Sequence, residues 1–185
     1  MSKHLLIMAL AAMTFFSNCG SDDDEPGTDG GGNTISLGDL SRGQGGAIVS
    51  GNESFTIEGS VVGANLTATI NGNSYNVNRV TIQTGQANDN RSVSLTFYIP
   101  TSLDQRIPPN GNITVGADDA ALAQTYVSFF VVGEDDTYNS LSSTQGTVTV
   151  SNSSVTDNAF EVVFDVENLS SFDDTAVNVA GALKF

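Results

Sequence analysis

Tryptophan is absent from the chain, and cysteine and histidine occur once each, as Cys19 and His4. With one thiol there is no intramolecular disulfide, so any fold must rest on packing alone. Residues 19–185 contain no histidine. That absence excludes Ser-His-Asp and Cys-His catalysis, histidine acid–base chemistry and ordinary zinc sites. A GxxxxGK[ST] phosphate loop, a GxGxxG turn and a GxSxG elbow are also missing. Positive charge is scarce: six lysines and arginines stand against 21 aspartates and glutamates, for a net charge of -15. Such a surface repels phosphate backbones, so no nucleic-acid partner is expected. Long apolar runs are lacking outside Leu5–Phe16. That run is too short for a spanning helix, which needs about 20 residues.

What is present begins with that run. Lys3 and His4 precede it, Ser17-Asn18-Cys19-Gly20 follow it, and an acidic tract comes next. A basic start, a short apolar stretch and an abrupt switch in composition are the layout of a signal peptide over residues 1–18. The segment resembles the precursor of a bacterial lipoprotein, in which a lipobox cysteine becomes the first mature residue and carries acyl chains. Cys19 stands at that position with Ser17 two residues before it. Asn18 departs from the small residue usual just before the cysteine. Ser21-Asp22-Asp23-Asp24-Glu25 resembles the export signal of surface lipoproteins of the Bacteroidota. The resemblance covers residues 1–25. It implies an outer-membrane protein held by lipid on Cys19 and facing the cell exterior.

Residues 26–46 are rich in Gly, Ser, Asp and Asn and read as a flexible tether, making residues 19–46 a lipidated, acidic leader to the domain. From Ala47 short alternating runs follow one another. Phe55, Ile57 and Val61 alternate with polar residues. Asn71-Gly72 between Leu66–Ile70 and Tyr75–Val77 is a strong hairpin signal. The apolar phase slips between Val77 and Val80, which predicts a bulge near Asn78-Arg79. Val93, Leu95, Phe97 and Ile99 alternate up to Pro100, and Tyr126–Val132 is apolar on both faces, as a central strand would be. Phe160, Val162, Phe164 and Val166 oppose Glu161, Asp165 and Glu167. One short helix is expected over 118–124.

About nine strands with Gly, Asn, Asp and Pro punctuation predict an all-β domain over 47–185. The expected form is an antiparallel β-sandwich, with a closed soluble β-barrel as the alternative. Gly146–Val150 and Val179–Phe185 also resemble the closing strands of small uncharacterised lipoproteins of the same bacteria, a likeness that bears on the fold alone. A membrane barrel is disfavoured by the absent tryptophan and by carboxylates on alternate faces.

The candidate chemistry is thin. Asp165 and Glu167, about 6.8 Å apart on one strand face, match the spacing of an inverting glycosidase pair. Alternating acids opposite a Phe/Val face are also how a wetted sheet ordinarily looks, so no catalytic residue is expected. Asp118, Asp119, Glu134, Asp135, Asp136, Asp173 and Asp174 lie at strand ends, where several loops together can supply calcium with oxygen ligands. Solvated loop charge is their plainer reading. Glycan stacking would need an exposed ring, and Tyr138 in the loop 134–143 is the candidate. Asp174-Thr175-Ala176 resembles an O-glycosylation acceptor of exported Bacteroidota proteins. The expected function is non-catalytic interaction or structural support at the cell envelope, through an envelope protein. Capture of a glycan or other substrate for an uptake system is the alternative.

Overall fold

The computed structural model describes residues 35–117 and 119–185. The expected signal peptide, Cys19, Ser21–Glu25, most of the expected tether and Asp118 therefore lie outside the described residues. Ten strands follow in order: β1 (Gln44–Gly51), β2 (Phe55–Ile70), β3 (Asn73–Gln83), β4 (Ser92–Pro100), β5 (Gly111–Val115), β6 (Tyr126–Val132), β7 (Thr137–Asn139), β8 (Gln145–Ser154), β9 (Ala159–Ser170) and β10 (Ala176–Lys184). The all-β expectation holds. Between Gly116 and Thr125 the described residues form a loop and not the helix expected over 118–124.

The architecture is the closed barrel, not the sandwich. Pairing runs β1-β2-β3-β4-β6-β5-β8-β9-β10, and β10 returns to β1 from Gln44↔Lys184 to Gly51↔Val177. A sandwich keeps two sheets with free edges, whereas here the first and last strands are neighbours in one wall. β7 bridges β6 and β9 beside the ring. The seam from β5 to β6 is parallel and short, Thr114↔Tyr126 and Val115↔Val127, while the other pairings are antiparallel. β2 reaches round the wall: its first half pairs with β1 up to Gln44↔Ser60, and the rest with β3 from Ser60↔Gln83. Glycine permits that change of partner, because a Cβ on Gly59 would overlap the Gln83 carbonyl.

Alternation decides what lies inside. Val93, Leu95, Phe97 and Ile99 of β4, Phe160, Val162, Phe164 and Val166 of β9, and Val127, Phe129 and Val131 of β6 converge in one buried core. Aromatic rings fill it, with Phe97 edge-on to Phe160 at 5.7 Å between centroids and Phe129 against Phe164 at 5.6 Å. Buried side chains fill the inside of the barrel, as in other small barrels. Its outer face carries Glu58, Glu161, Asp165 and Glu167 on β2 and β9. A membrane barrel would turn its apolar side outward.

The phase slip in β3 is not a bulge. The registers of β2–β3 and β3–β4 run unbroken through Asn78 and Arg79. Instead, Val80 and Ile82 join the inner core while Tyr75 and Val77 join a second buried cluster with Tyr98 and Tyr126 on the outside of the wall. Tyr98 and Tyr126 stack at 4.6 Å, and Tyr75 stands edge-on to both. The loop after β5 covers them: Tyr75 donates to the Leu122 carbonyl at 2.8 Å and Tyr126 to that of Ala120. This cover explains why β6 is apolar on both faces. A bulge does occur in β9, where the register shifts opposite Val177 and Val179. Asn168 there takes a φ of 61, so the inward set passes from Val166 to Leu169.

β1 begins at Gln44, inside the stretch read as tether. Its glycines are packing residues: a Cβ on Gly45 would lie 2.9 Å from the Leu183 Cβ and 3.0 Å from Val61 and Ile82 side-chain atoms.

Candidate functional site

Strand direction places the connections β1–β2 (52–54), β3–β4 (84–91), β6–β7 (133–136) and β9–β10 (171–175) around one end of the barrel. They carry Glu53, Asp89, Glu134, Asp135, Asp136, Asp173 and Asp174, with Arg91 as the single base. The opposite end receives the chain at Gln44, and Arg42 and Arg106 lie beside Asp104 and Asp157 in its loops. Acidity is therefore concentrated at the end farther from where the chain enters the wall.

Glu53 ties this rim together. Its carboxylate accepts from the backbone N–H of Glu134 at 2.7 Å, from that of Asp136 at 3.1 Å, and from the Tyr138 hydroxyl at 3.0 Å. Gly133 makes room, since a Cβ there would collide with the carboxylate. Asn52 donates to the Tyr138 oxygen at 3.4 Å. The Tyr138 ring is 0% exposed and belongs to the core. Burial pushes its phenol above the ordinary tyrosine value. The expectation of an exposed, glycan-stacking Tyr138 is thus corrected. The residue sits on β7, whose pairing with β6 at Val131↔Tyr138 sets its side chain inward. Tyr75, Tyr98 and Tyr126 are buried as well, so no tyrosine offers an open ring.

Beside Glu134, an open hollow of about 370 Å³ is lined by 86–91, Gly133 and Glu134. Asp89 accepts from Arg91 at Nε and Nη2, both 2.9 Å, and from its backbone N–H at 3.1 Å. These bonds from Arg91 hold the carboxyl well below the usual carboxylate range. The Arg91 guanidinium also lies over the Phe55 ring, 5.3 Å from its centroid, which docks the 84–91 loop on the barrel.

The last rim element is a turn with an aromatic tip. Ser171 N–H donates to the Thr175 carbonyl at 2.9 Å, the two hydroxyls share a 2.7 Å hydrogen bond, and Asp173 N–H donates to Ser171 Oγ at 3.1 Å. The turn so fixed presents Phe172, 99% exposed, beside exposed Asp173 and Asp174. Thr175, of the O-glycosylation triplet, is engaged in this turn.

Of the calcium candidates, Glu134, Asp135, Asp136, Asp173 and Asp174 share the rim, and Asp119 lies exposed on the flanking loop. Among the described residues no three His, Cys, Asp or Glu groups converge as a metal site would require. Asp165 and Glu167 sit on the outer wall of β9, opposite Thr147 and Gln145 of β8, and do not line the hollow beside Glu134.

The residues that build the rim and escaped sequence reasoning are Glu53, Asp89, Arg91 and Phe172. Phe172 alone carried a signal: a large apolar residue inside an acidic turn belongs to no strand's alternation. Glu53 carried none, because its partners are backbone groups far along the chain. No protein-family model, curated protein or solved structure matches this chain.

Proposed function

We propose that this chain is a lipid-anchored protein of the outer cell surface whose barrel recognises a cationic protein partner of the envelope without catalysing a reaction. The anchor is the acylated Cys19, and Ser21–Glu25 act as the surface-export signal. The grip is the acidic rim, with Phe172 as its apolar anchor. The observation that carries this reading is the pre-formed turn holding Phe172 fully exposed among carboxylates. An ordered turn loses little freedom on binding, and an aromatic anchor with a charged surround is the usual anatomy of a recognition hot spot. With all four tyrosines buried, the polar-tipped ring expected for glycan capture is not exposed.

The test is capture of cross-linked envelope proteins by the full-length protein in intact cells, comparing wild type with Phe172→Ser and with Asp173→Asn/Asp174→Asn. A partner bound through Phe172 should lose about 2 kcal/mol or more, roughly thirty-fold in Kd. Weakening by added salt should accompany it. Capture unchanged in Phe172→Ser overturns the assignment of the rim.

A further inference from the structure

β2 outlasts its first partner. The Val61 N–H still donates to the Gly43 carbonyl at 2.8 Å, but among the described residues nothing pairs with Val62–Ile70 on that side. Since Val61 turns its backbone groups toward β1, the alternation of an extended chain leaves those of Gly63, Asn65, Thr67 and Thr69 on the open edge. On the outer face the same stretch carries Val62, Ala64, Leu66, Ala68 and Ile70 in unbroken succession. Val62 is 49% and Leu66 53% exposed. Natural edges are guarded by charge, proline or a bulge. This one has no charge and no proline between Val61 and Ile70, and its register with β3 is regular.

We propose that this edge is a self-recognition surface, on which β2 of a second copy of the chain pairs antiparallel about a two-fold axis at Leu66. Charge singles out a second copy as the occupant. The chain carries -15, so two copies repel over most of their surface. Yet Gly59–Gln83 contains no carboxylate, and its only base is Arg79. Along this open edge, like meets like without opposed acids. The sequence is also its own complement in that register. Gly63 faces Thr69 of the second copy and Asn65 faces its Thr67, each exchanging backbone hydrogen bonds. Leu66 meets Leu66, Ala64 meets Ala68, and Val62 meets Ile70, all on the apolar face. Nine strand residues a side fall short of the roughly 20–30 of a standard interface, so the dimer is reversible and concentration-dependent.

The register makes the proposal testable in the full-length protein in its own cells. Residues facing each other at a non-hydrogen-bonded antiparallel pair have Cα atoms about 4.5 Å apart, within the range a disulfide spans. Leu66→Cys should therefore give a disulfide-linked dimer on mild oxidation. Ala64→Cys alone should not, but Ala64→Cys and Ala68→Cys expressed together should cross-link to each other. Wild type controls for Cys19. Thr67→Pro removes an open-edge N–H without touching the β2–β3 ladder and should abolish the Leu66→Cys product. Absence of that product in the Leu66→Cys protein overturns the proposal, as does cross-linking that ignores position. Linkage to a different polypeptide also overturns it, because the edge then serves another strand. A Phe172→Ser background leaves the cross-link intact, separating this surface from the rim.

Discussion

Tyr138 is the residue on which the sequence and the structure give opposite forecasts, and replacing it decides between them. An exposed ring on an acidic loop can be deleted with little effect on stability. A ring that is 0% exposed, packed in the core, leaves a cavity when removed. Truncating a buried aromatic to alanine costs about 3–5 kcal/mol. For a domain of this size each kcal/mol lowers Tm by about 2–4 °C. Tyr138→Ala should therefore melt roughly 6–20 °C below wild type. Tyr138→Phe keeps the ring and removes only the hydroxyl, so the Glu53 carboxylate retains its two backbone donors. A hydrogen bond to a charged group contributes about 1.5–3 kcal/mol, which sets the upper range of that loss. Combined with Glu53→Gln, the two changes should fall short of additivity, because both act on the same bond, one removing its donor and the other the charge on its acceptor. Near-ultraviolet circular dichroism suits the measurement, since no tryptophan masks the tyrosines. Alkali supplies a second readout. The folded phenol titrates above its unfolded value, so its contribution is complete below about pH 10 and lost as pH rises through the folded value. Tyr138→Phe should lack that component of the alkaline limb. A Tyr138→Ala protein melting within a degree of wild type would refute the packing described above.

Acid should act at the other side of the rim. The folded Asp89 carboxyl titrates below its unfolded value, so its contribution is present above about pH 4 and lost as pH falls. Tm measured from pH 6 down to pH 2 should drop less steeply in Asp89→Asn than in wild type. At the amino terminus, Cys19→Ala should release the protein from the membrane fraction. Alanines across Ser21–Glu25 should leave lipidation intact but shield the protein from protease added outside the cell; equal digestion of both would reduce the tract to a spacer.

Strand identity was legible in the sequence wherever one face is wet and the other dry. The alternation of Phe160–Val166 follows directly from an inside and an outside; in Val93–Ile99 the inward set falls as expected, but Ser94, Thr96 and Tyr98 on the outer face are buried too. Closure was not legible. It rests on β10 meeting β1 across the length of the domain and on a two-pair seam between β5 and β6, and neither leaves a local pattern. The Gly-Gly of β1 reads as linker because flexibility and tight packing demand the same residue. In β3 the slip of phase was real, but its cause is a second apolar cluster outside the wall, covered by a loop that no periodicity marks. The site was legible only as scattered acidity. That the loops 86–91, 134–136 and 171–175 share one end, while 100–111 lies at the other and 116–125 on the flank, depends on strand direction in the closed ring.

The junction of β1 with β10 also sets a timetable. Every other segment of the wall can form before β10 is in place, but the cylinder cannot, because both neighbours of β10 wait with unpaired edges, and Phe164 and Val166 lack their partners Gly181 and Val179. Contacts so distant along the chain make for slow folding. They also make it conditional: losing β10 removes the closure of the whole wall and not one strand's share of it. The barrel thereby checks its own completeness, so a chain cut short before Ala176 remains open to proteolysis along its entire length.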